Sequence, residues 1–593
     1  MESPSRWAWS YEVADTKLAL HTKPYFIVQL SFYSEQLAAV QGTQPVHMHV
    51  ILGDGRQEQH RVDDYRAYYT RLKKRFSERQ AAGTYPLKVK HCDLCPWDAR
   101  CRKQREDDDH LSLVARIRRE QIKKLEAGGI ATLAALAQST PAQRPATMSE
   151  TTFLTLHRQA RLQHRQRVAF SENGTHEGPK HFYEFLDPRD QQGFALLPKP
   201  ANGDIFFDME GDPLFIPGRG LEYLFGVYAP EDAQPFRSFW AHSPVQEKHA
   251  FEAFIDYVVE RRKQYPQMRI YHYAPYEKVA LRRLMGLHST REQEVNDLLR
   301  AEVFVDLYAV VRQALCISQP SYSIKKLEAF YGMERATETK LGGDSIVMYE
   351  TWLQDRTRQD ILDDIELYNQ DDCRSTWLLR EWLLELRAEA VAQHGEIPWY
   401  AKTDTQMCHT EPLAGCKSCE RRAAGEKAVS AREAVRNRLL AGLEDVDAFT
   451  IRDRNDDERV TWMLAHLMEY HRREQRPVWW AYFDRLENRD DYVDLDKESL
   501  GGLVLRADIP PEKIKNSLAF TYAFPPQQYK LGNDPRDPAT GKGVTVLDVD
   551  DEACLLRIKT SDKNHASNPL RALVPGGPMR TDAQDASLER IAL

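Results

Sequence analysis

The chain has 593 residues, of which 42% are hydrophobic and 10% are aromatic, as in ordinary globular proteins. Its 81 Lys and Arg against 89 Asp and Glu give a net charge of −8, which excludes a polycation, so any contact with nucleic acid must come from local basic patches. No apolar run approaches the ~20 residues of a membrane span and no signal-peptide pattern opens the chain, so we expect a cytoplasmic protein without membrane contact.

The first predicted strand covers residues 7–18, where alternation places Asp15 and Lys17 on one face. A carboxylate two residues before a lysine suits metal-assisted hydrolysis, because the acid binds the cation and the ammonium holds or activates the attacking water. Gln29 and Tyr33 follow on one face of a predicted helix. An exposed strand with a salt-bridged pair would show the same spacing, so both interpretations stay open.

Three cysteines fall within ten residues, Cys92, Cys95 and Cys101, directly after His91. Thiolates at C-x2-C-x5-C spacing indicate metal ligation. Together with the D-x-K and Q-x-x-x-Y patterns, residues 1–105 resemble the C-terminal part of a RecB-type PD-(D/E)XK nuclease with a cysteine triplet. The resemblance implies a [4Fe-4S] cluster, but its ligand set is incomplete because no cysteine precedes Cys92. An upstream acidic metal ligand is missing too, so we expect this part to be inactive and its cluster incomplete or absent.

Residues 106–195 read as a helical linker. The stretch 125–136 resembles a helix-hairpin-helix, whose turn amides can meet a phosphate backbone, although a small helical packing domain fits equally well. Four arginines on the next predicted helix are candidate phosphate contacts, or simply a solvated face: Arg158, Arg161, Arg165 and Arg167.

The third region, residues 196–395, opens on a strand at 205–212. Alternation predicts that this strand buries Ile205 and Phe207 on one face and places Asp208 and Glu210 side by side on the other. Two carboxylates this close repel each other, so the arrangement is stable mainly with a divalent cation between them. Alternating patterns predict further strands at 222–229, 236–241 and 268–273, and helices at 246–264 and 361–386.

Three more candidate residues lie in this region. Glu277 follows the strand at 268–273, and Tyr368 and Asp372 are stacked on one face of the late helix. The order of these motifs is D-x-E on the first strand, an acid after a middle strand and Y-x-x-x-D on a late helix. Together with the sequence from Tyr322 to Glu328, it resembles the DEDDy exonucleases of the ribonuclease-H-like fold, and most of all the YprB-type domain.

The resemblance implies two-metal hydrolysis of phosphodiester bonds from the 3′ end of single-stranded DNA or RNA. Four carboxylates would hold two Mg²⁺ or Mn²⁺ ions: Asp208, Glu210, Glu277 and Asp372. Tyr368 would orient the attacking water, because its ordinary pKa of about 10 is too high for a base. Glu277 departs from the pattern, which usually has Asp at that position. Asp306 matches a supporting position, and Asp212 and Asp371 are spare acids.

Residues 396–593 read as a helical and small β region, with short strands at 518–560 and a disordered tail from 575. Three cysteines beside His409 allow a zinc site, although unligated loop cysteines fit better: Cys408, Cys416 and Cys419. The whole chain resembles the RecB-like nucleases with a YprB-type domain, in which a helicase can follow. We expect the chain to begin inside the first module and to end before that helicase.

The sequence therefore predicts an α/β multidomain protein with a partial PD-(D/E)XK core, a helical linker, a ribonuclease-H-like mixed sheet with flanking helices and a small C-terminal α+β region. The leading hypothesis is a metal-dependent 3′→5′ exonuclease in DNA processing or repair. The alternative is an inactive nucleic-acid-binding accessory fragment that acts with a separately encoded helicase or an upstream nuclease half. The third hypothesis is a metal-stabilised scaffold that does not bind nucleic acid.

Overall fold

The computed structural model describes residues 9–592 except 83, 90–91, 93–94, 147, 149, 172–179, 189–191, 217–218, 337–341, 401–431, 444–445, 447–449, 488–495, 497, 526, 528, 533, 552, 562–564 and 568. Two compact units form, one from residues 1–281 and 293–402 and the other from residues 282–292 and 403–593. None of the described helices combines the length and the apolarity needed to cross a bilayer.

The first unit opens with a small three-stranded sheet and two helices: β1 (Val13–Thr16), α1 (Pro24–Gln41), β2 (His47–Ile51), β3 (Gln57–Arg61) and α2 (Val62–Ala82). β1 runs parallel to β2, and β2 runs antiparallel to β3. Leu30 of α1 packs on Met48 and Val50 of β2, and all three are fully buried. The helix therefore covers one face of this sheet.

A helical segment follows, with α3 (Asp98–Asp107), α4 (Arg119–Ala127), α5 (Leu133–Gln138) and α6 (Glu150–Ser171). α4 and α5 are joined at Gly128 and Gly129, and Gly129 has a φ of +82° that favours glycine. Thr132 then caps α5 by accepting a hydrogen bond from the Ala135 N–H. The buried Leu133 packs with Phe153 of α6, so the helix–turn–helix has a packed apolar side.

The main sheet of this unit has five strands in the order β7-β6-β5-β8-β9. Its strands are β5 (Ile205–Asp212), β6 (Leu221–Tyr228), β7 (Phe236–Trp240), β8 (Ile270–His272) and β9 (Phe304–Asp306). The first three form an antiparallel meander, and β8 and β9 add in parallel beside β5. A separate antiparallel pair is formed by β4 (Tyr183–Phe185) and β10 (Leu315–Ile317).

The helices described between residues 244 and 394 are α7 (Pro244–Gln264), α8 (Tyr276–His288), α9 (Glu292–Arg300), α10 (Leu307–Ala314), α11 (Ile324–Tyr331), α12 (Gly342–Gln354) and α13 (Gln359–His394). Ser243 caps α7 through a hydrogen bond from the Gln246 N–H, and Pro244 occupies its first turn. The predicted strands and helices of this region are all present, and their bounds agree within a few residues except that α13 continues to His394 and does not end at 386.

The central strand β5 is buried on both faces, whereas alternation predicted one buried face. Phe207 stacks on Phe254 of α7 with ring centroids 4.3 Å apart. Phe206, on the opposite face, lies in a cluster with Leu379 and Leu383 of α13. Helices therefore cover both sides of the sheet, and the carboxylates that follow on the Phe206 face lie beneath α13.

The second unit contains helices Asp456–Leu467, Tyr470–Glu487 and Asp582–Ala592 and the strands β11 (Leu500–Gly501), β12 (Val504–Leu505), β13 (Glu512–Ile514), β14 (Ser517–Ala523), β15 (Thr545–Asp550), β16 (Leu555–Thr560) and β17 (Ala572–Leu573). All described strand pairs of this unit are antiparallel.

One expectation for the second unit is wrong. The tail after residue 575 was expected to be disordered, but Asp582–Ala592 forms a helix. Asp582 and Asp585 in its first turn interact favourably with the helix dipole, and the Gln475 side chain donates hydrogen bonds to the Met579 carbonyl and the Thr581 hydroxyl.

Candidate functional site

Three carboxylates meet where the end of β5 lies against α13. Asp208 and Glu210 come from the strand and Asp372 comes from the helix, and one ligand oxygen of each lies within 4.8 Å of the others. In the part of the chain that the structure describes, no other group of three His, Cys, Asp or Glu side chains comes this close. The fold thus joins two motifs that are far apart in the sequence.

The charges at this site repel one another in a buried setting. Burial raises the pKa of Asp208 well above its ordinary value, and the charges of Asp372, Glu210 and Glu277 raise it further. Burial, followed by the charge of Asp372, raises the pKa of Glu210 to about 8. A cation between the carboxylates would relieve this repulsion, and hard carboxylate oxygens are the ligands that Mg²⁺ and Mn²⁺ prefer. The donor set therefore fits divalent metal.

These raised pKa values predict how stability depends on pH. The Glu210 carboxyl titrates near 4.5 when unfolded and near 8 in the folded protein, so its favourable contribution is complete below the lower value and is lost as pH rises through the upper one. We expect the thermal midpoint of the protein in EDTA to fall between about pH 5 and about pH 8.5. Added Mg²⁺ should raise the midpoint more at the higher pH, because it binds the ionised carboxylates.

Differential scanning fluorimetry of the wild type and Glu210→Gln, with and without Mg²⁺, measures this effect. The Gln variant is the matched control, and its midpoint should fall less over the same pH range. A metal effect equal at both pH values would contradict the prediction.

Buried polar side chains fix the orientation of the strand carboxylates. The Asn369 Nδ2 donates to Asp208 Oδ2 at 2.8 Å, and the Ser345 hydroxyl donates to Glu210 Oε2 at 2.8 Å. Asn369 and Ser345 are fully buried. Gly226 of β6 lies opposite Asp208, and a Cβ there would come within 1.6 Å of the Asn369 Oδ1. Only glycine leaves room for this amide.

Two cations flank the carboxylates. The Lys325 ammonium donates to the Tyr368 hydroxyl at 2.7 Å and lies 4.6 Å from the centre of its ring. Arg335 donates through Nη2 to Asp372 Oδ1 at 2.6 Å. Burial, together with the charges of Asp372, Glu210 and Asp208, raises the pKa of Tyr368. The phenol therefore keeps its proton throughout the physiological pH range.

Glu277 lies beside this group but outside the set of three. It is buried at the start of α8, and its Oε2 lies 3.3 Å from Nδ1 of the buried His272. Burial raises the pKa of Glu277, although the positive charge of His272 beside it opposes the shift. The charge of Glu277 raises the pKa of Asp208, so the two carboxyl groups are neighbours. Because Glu277 is not in the group of three, its assignment as the fourth metal ligand stays a prediction.

The other acids of the region have local structural contacts. Asp306 accepts hydrogen bonds from the backbone N–H groups of Ala274 and Tyr308, which caps α10 and holds the turn that leads to α8. Asp371 accepts a hydrogen bond from the Ala336 N–H. These contacts are structural, and the supporting role of Asp306 and the spare role of Asp371 remain predictions.

The motif residues of the N-terminal sheet form one chain of contacts. Lys17 pairs with Asp15 at 2.7 Å and donates to the Gln29 Oε1 at 2.8 Å, and Gln29 donates to the Tyr33 hydroxyl at 3.0 Å. The predicted strand and helix faces therefore do meet. The same contacts are expected of a salt-bridged pair without catalytic function. A catalytic role of Asp15 and Lys17 therefore remains a prediction.

The cysteine triplet precedes and enters α3. The thiols of Cys92, Cys95 and Cys101 are free and half-buried, and the Cys92 Sγ accepts a hydrogen bond from the Val89 N–H. Their role in an iron–sulfur cluster stays a prediction. His91, His409, Cys408, Cys416 and Cys419 lie outside the described residues.

The four arginines of α6 already have partners within the protein. Arg158 and Arg161 pair with Glu184, and Arg167 pairs with Asp109. The guanidinium of Arg165 lies 3.9 Å from the centre of the Phe182 ring. These contacts tie α6 to its neighbours, and they weaken the interpretation of this face as a phosphate-binding surface.

An antiparallel meander, two added parallel strands and carboxylates on the first strand define a ribonuclease-H-like domain. Residues 205–384 match the family model of the RNase H superfamily, which is consistent with a nuclease acting on nucleic acid. No curated protein and no solved structure matches the chain.

Sequence reasoning missed the residues that support the carboxylates. Asn369 had a usable signal, because it lies three residues before Asp372 and therefore on the same helix face. Arg335 and Ser345 carry no local signal, since only the packing of the segments around α11 and α12 brings them to the strand end.

Proposed function

We propose that this protein is a metal-dependent exonuclease that hydrolyses phosphodiester bonds from the 3′ end of single-stranded DNA or RNA, in DNA processing or repair. The observation that carries the proposal is the convergence of Asp208, Glu210 and Asp372 within 4.8 Å at the end of the central strand. The match to the RNase H superfamily supports the chemistry, and the 3′→5′ direction rests on the resemblance to DEDDy exonucleases.

Two Mg²⁺ or Mn²⁺ ions would be held by the group of three carboxylates together with Glu277 as a fourth ligand. When bound, the metal would supply activation of water and stabilisation of the leaving oxygen. The protein supplies the geometry: Asn369 fixes Asp208, and Ser345 fixes Glu210, before substrate arrives. Hydrogen bonds of this kind preserve an ionised, correctly rotated carboxylate in a buried site.

Tyr368 orients the attacking water as a hydrogen-bond donor. Its oxygen accepts a hydrogen bond from Lys325, so its own proton is left to donate to another group. We expect Tyr368→Phe to lower kcat by roughly 10²-fold, as loss of a positioned proton donor typically does. Metal affinity should change little, because the phenol is not a ligand. Single-turnover rates and Mn²⁺ titrations measure the two effects, and unchanged turnover would remove Tyr368 from the mechanism.

The proposal is tested with oligonucleotides labelled at the 5′ end. Wild-type protein should shorten them one nucleotide at a time in Mg²⁺ or Mn²⁺ and not in EDTA. Asp15→Ala should leave this release unchanged, because Asp15 pairs with Lys17 and is not one of the three carboxylates that converge. Loss of release in Asp15→Ala would move the active centre to the N-terminal module, and internal cutting would show an endonuclease.

Further assignments follow from the resemblance. A [4Fe-4S] cluster would need a ligand besides Cys92, Cys95 and Cys101, and a separately encoded helicase or upstream nuclease half is the proposed partner. The alternative function is a non-catalytic nucleic-acid-binding accessory. It predicts oligonucleotide binding that weakens with salt and no nucleotide release in any divalent metal.

A further inference from the structure

Arg335 holds an unusual position among the carboxylates. Its Nη2 donates to Asp372 Oδ1 at 2.6 Å and to Glu328 Oε1 at 2.5 Å, and its Nε donates to both Glu328 oxygens at 3.1 and 3.0 Å. The side chain is only 13% exposed. Its third nitrogen, Nη1, is buried and makes no hydrogen bond to the part of the chain that the structure describes.

Glu328 is a firm anchor for this guanidinium. It is buried on α11 and also accepts a hydrogen bond from the Ser375 hydroxyl of α13 at 2.9 Å. The backbone after Arg335 is held as well, because the Ala336 N–H donates to Asp371 Oδ2 at 2.8 Å. The direction in which Nη1 points is therefore set by contacts other than the one to Asp372.

An ion pair with Asp372 alone does not explain this arrangement. A buried N–H without a partner costs free energy, and burying a full guanidinium beside a metal site costs more. Arg335 pairs with Asp372 through Nη2 alone. It pairs with Glu328 through Nε and Nη2, so neither pair uses Nη1. Among the described residues, Nη1 stays without a partner after both pairs are made, and a ligand that completed it at a site of metal-binding carboxylates would be an anion.

We propose that Arg335 is a phosphate-binding residue, which donates from Nη1 to a non-bridging oxygen of the scissile phosphodiester. This inference rests on the proposed function and adds a residue to it. Arginine suits the role, since its planar fork can keep two donors on Glu328 while the remaining nitrogen faces a phosphate oxygen. The positive charge opposes the negative charge that grows on the phosphate oxygens during hydrolysis.

The test separates phosphate binding from support of Asp372. Binding of thymidine 5′-monophosphate is measured by calorimetry with Ca²⁺, and Mn²⁺ binding is measured separately by electron paramagnetic resonance. Arg335→Gln should weaken nucleotide binding by about tenfold or more, as loss of a charge-assisted hydrogen bond does. Its Mn²⁺ affinity should stay equal or rise, because a cation next to a metal ligand opposes metal binding.

Two further variants keep the test decisive. Arg335→Lys retains the charge but cannot both pair with Glu328 and reach the phosphate, so it should also lose nucleotide affinity, even if Arg335→Gln folds poorly. Arg358→Gln is the matched control, since Arg358 is 52% exposed and pairs with Asp360. It should bind as the wild type does.

The outcomes distinguish the inference from the proposed function. Wild-type nucleotide affinity in both Arg335 variants, or a parallel loss of Mn²⁺ affinity, would overturn the phosphate-binding role and leave Arg335 as a support for Asp372. If the wild type releases no nucleotide in any metal but its nucleotide binding depends on Arg335, the phosphate contact stands and the hydrolytic function fails.

Discussion

Replacement of Asp208 by Asn is expected to lower metal-dependent nucleotide release by about 10³-fold, which corresponds to roughly 4 kcal/mol of transition-state stabilisation. The reason is that the amide removes a charged oxygen ligand from the group of three. The same change should stabilise the metal-free protein. Burial and the charges of Asp372 and Glu210 raise the pKa of Asp208, so ionised Asp208 is unfavourable in the fold when no cation is bound.

The expected gain in stability is largest above neutral pH, where the carboxylates are ionised. It should appear as a thermal midpoint higher by several degrees in EDTA, and Mg²⁺ should raise the midpoint of the variant less than that of the wild type. Fluorimetry and the 5′-label assay measure the two effects on the same preparation. A stability gain without loss of activity would mean that Asp208 is not a ligand.

The matched control for this experiment is Asp364→Asn. Asp364 lies on the exposed face of α13 and is also an acid on the element that supplies Asp372. It should show neither the loss of release nor the rise in midpoint. An equal effect of both substitutions would point to general charge reduction and not to the site.

Secondary structure in the central region could be predicted because each element carries a strong local pattern. The apolar run of β5 and the long apolar stripe of α13 are both visible in the sequence. What alternation could not show is that β5 is covered on both sides, since that depends on where α7 and α13 pack. The C-terminal helix at 582–592 was missed because a terminal segment that buries none of its residues was expected to be poorly ordered.

The candidate site was predictable only for residues that lie within short motifs. Asp208 and Glu210 are two residues apart, and Asp372 lies one helical turn after Tyr368, so the order of these short motifs and the resemblance it carries indicated them. The pairing of Glu277 with His272 depends on the turn held by Asp306, a contact between separate strands. No local pattern encodes such contacts.

Replacement of Gly226 by Ala, outside the sequence motifs, is expected to lower both the stability of the protein and its nucleotide release. The new Cβ would lie 1.6 Å from the Asn369 Oδ1, so β6 or α13 must shift, since the amide is buried and holds Asp208 at 2.8 Å. Forcing a methyl group into a packed core costs about 1–3 kcal/mol. Loss of the Asn369 contact should also lower nucleotide release by roughly 10–100-fold, as for other outer contacts to metal ligands.

The control and the compensating change make this prediction specific. Gly286→Ala on α8 places its Cβ in open space, so it should leave activity unchanged and stabilise slightly, because alanine favours a helix. In the double variant Gly226→Ala with Asn369→Ala, stability should recover relative to Gly226→Ala while activity stays low, because the collision is gone and so is the donor to Asp208. Recovery of activity in the double variant would show that Asn369 does not orient the carboxylate. The loss in Gly226→Ala would then come from displacement of the strand alone.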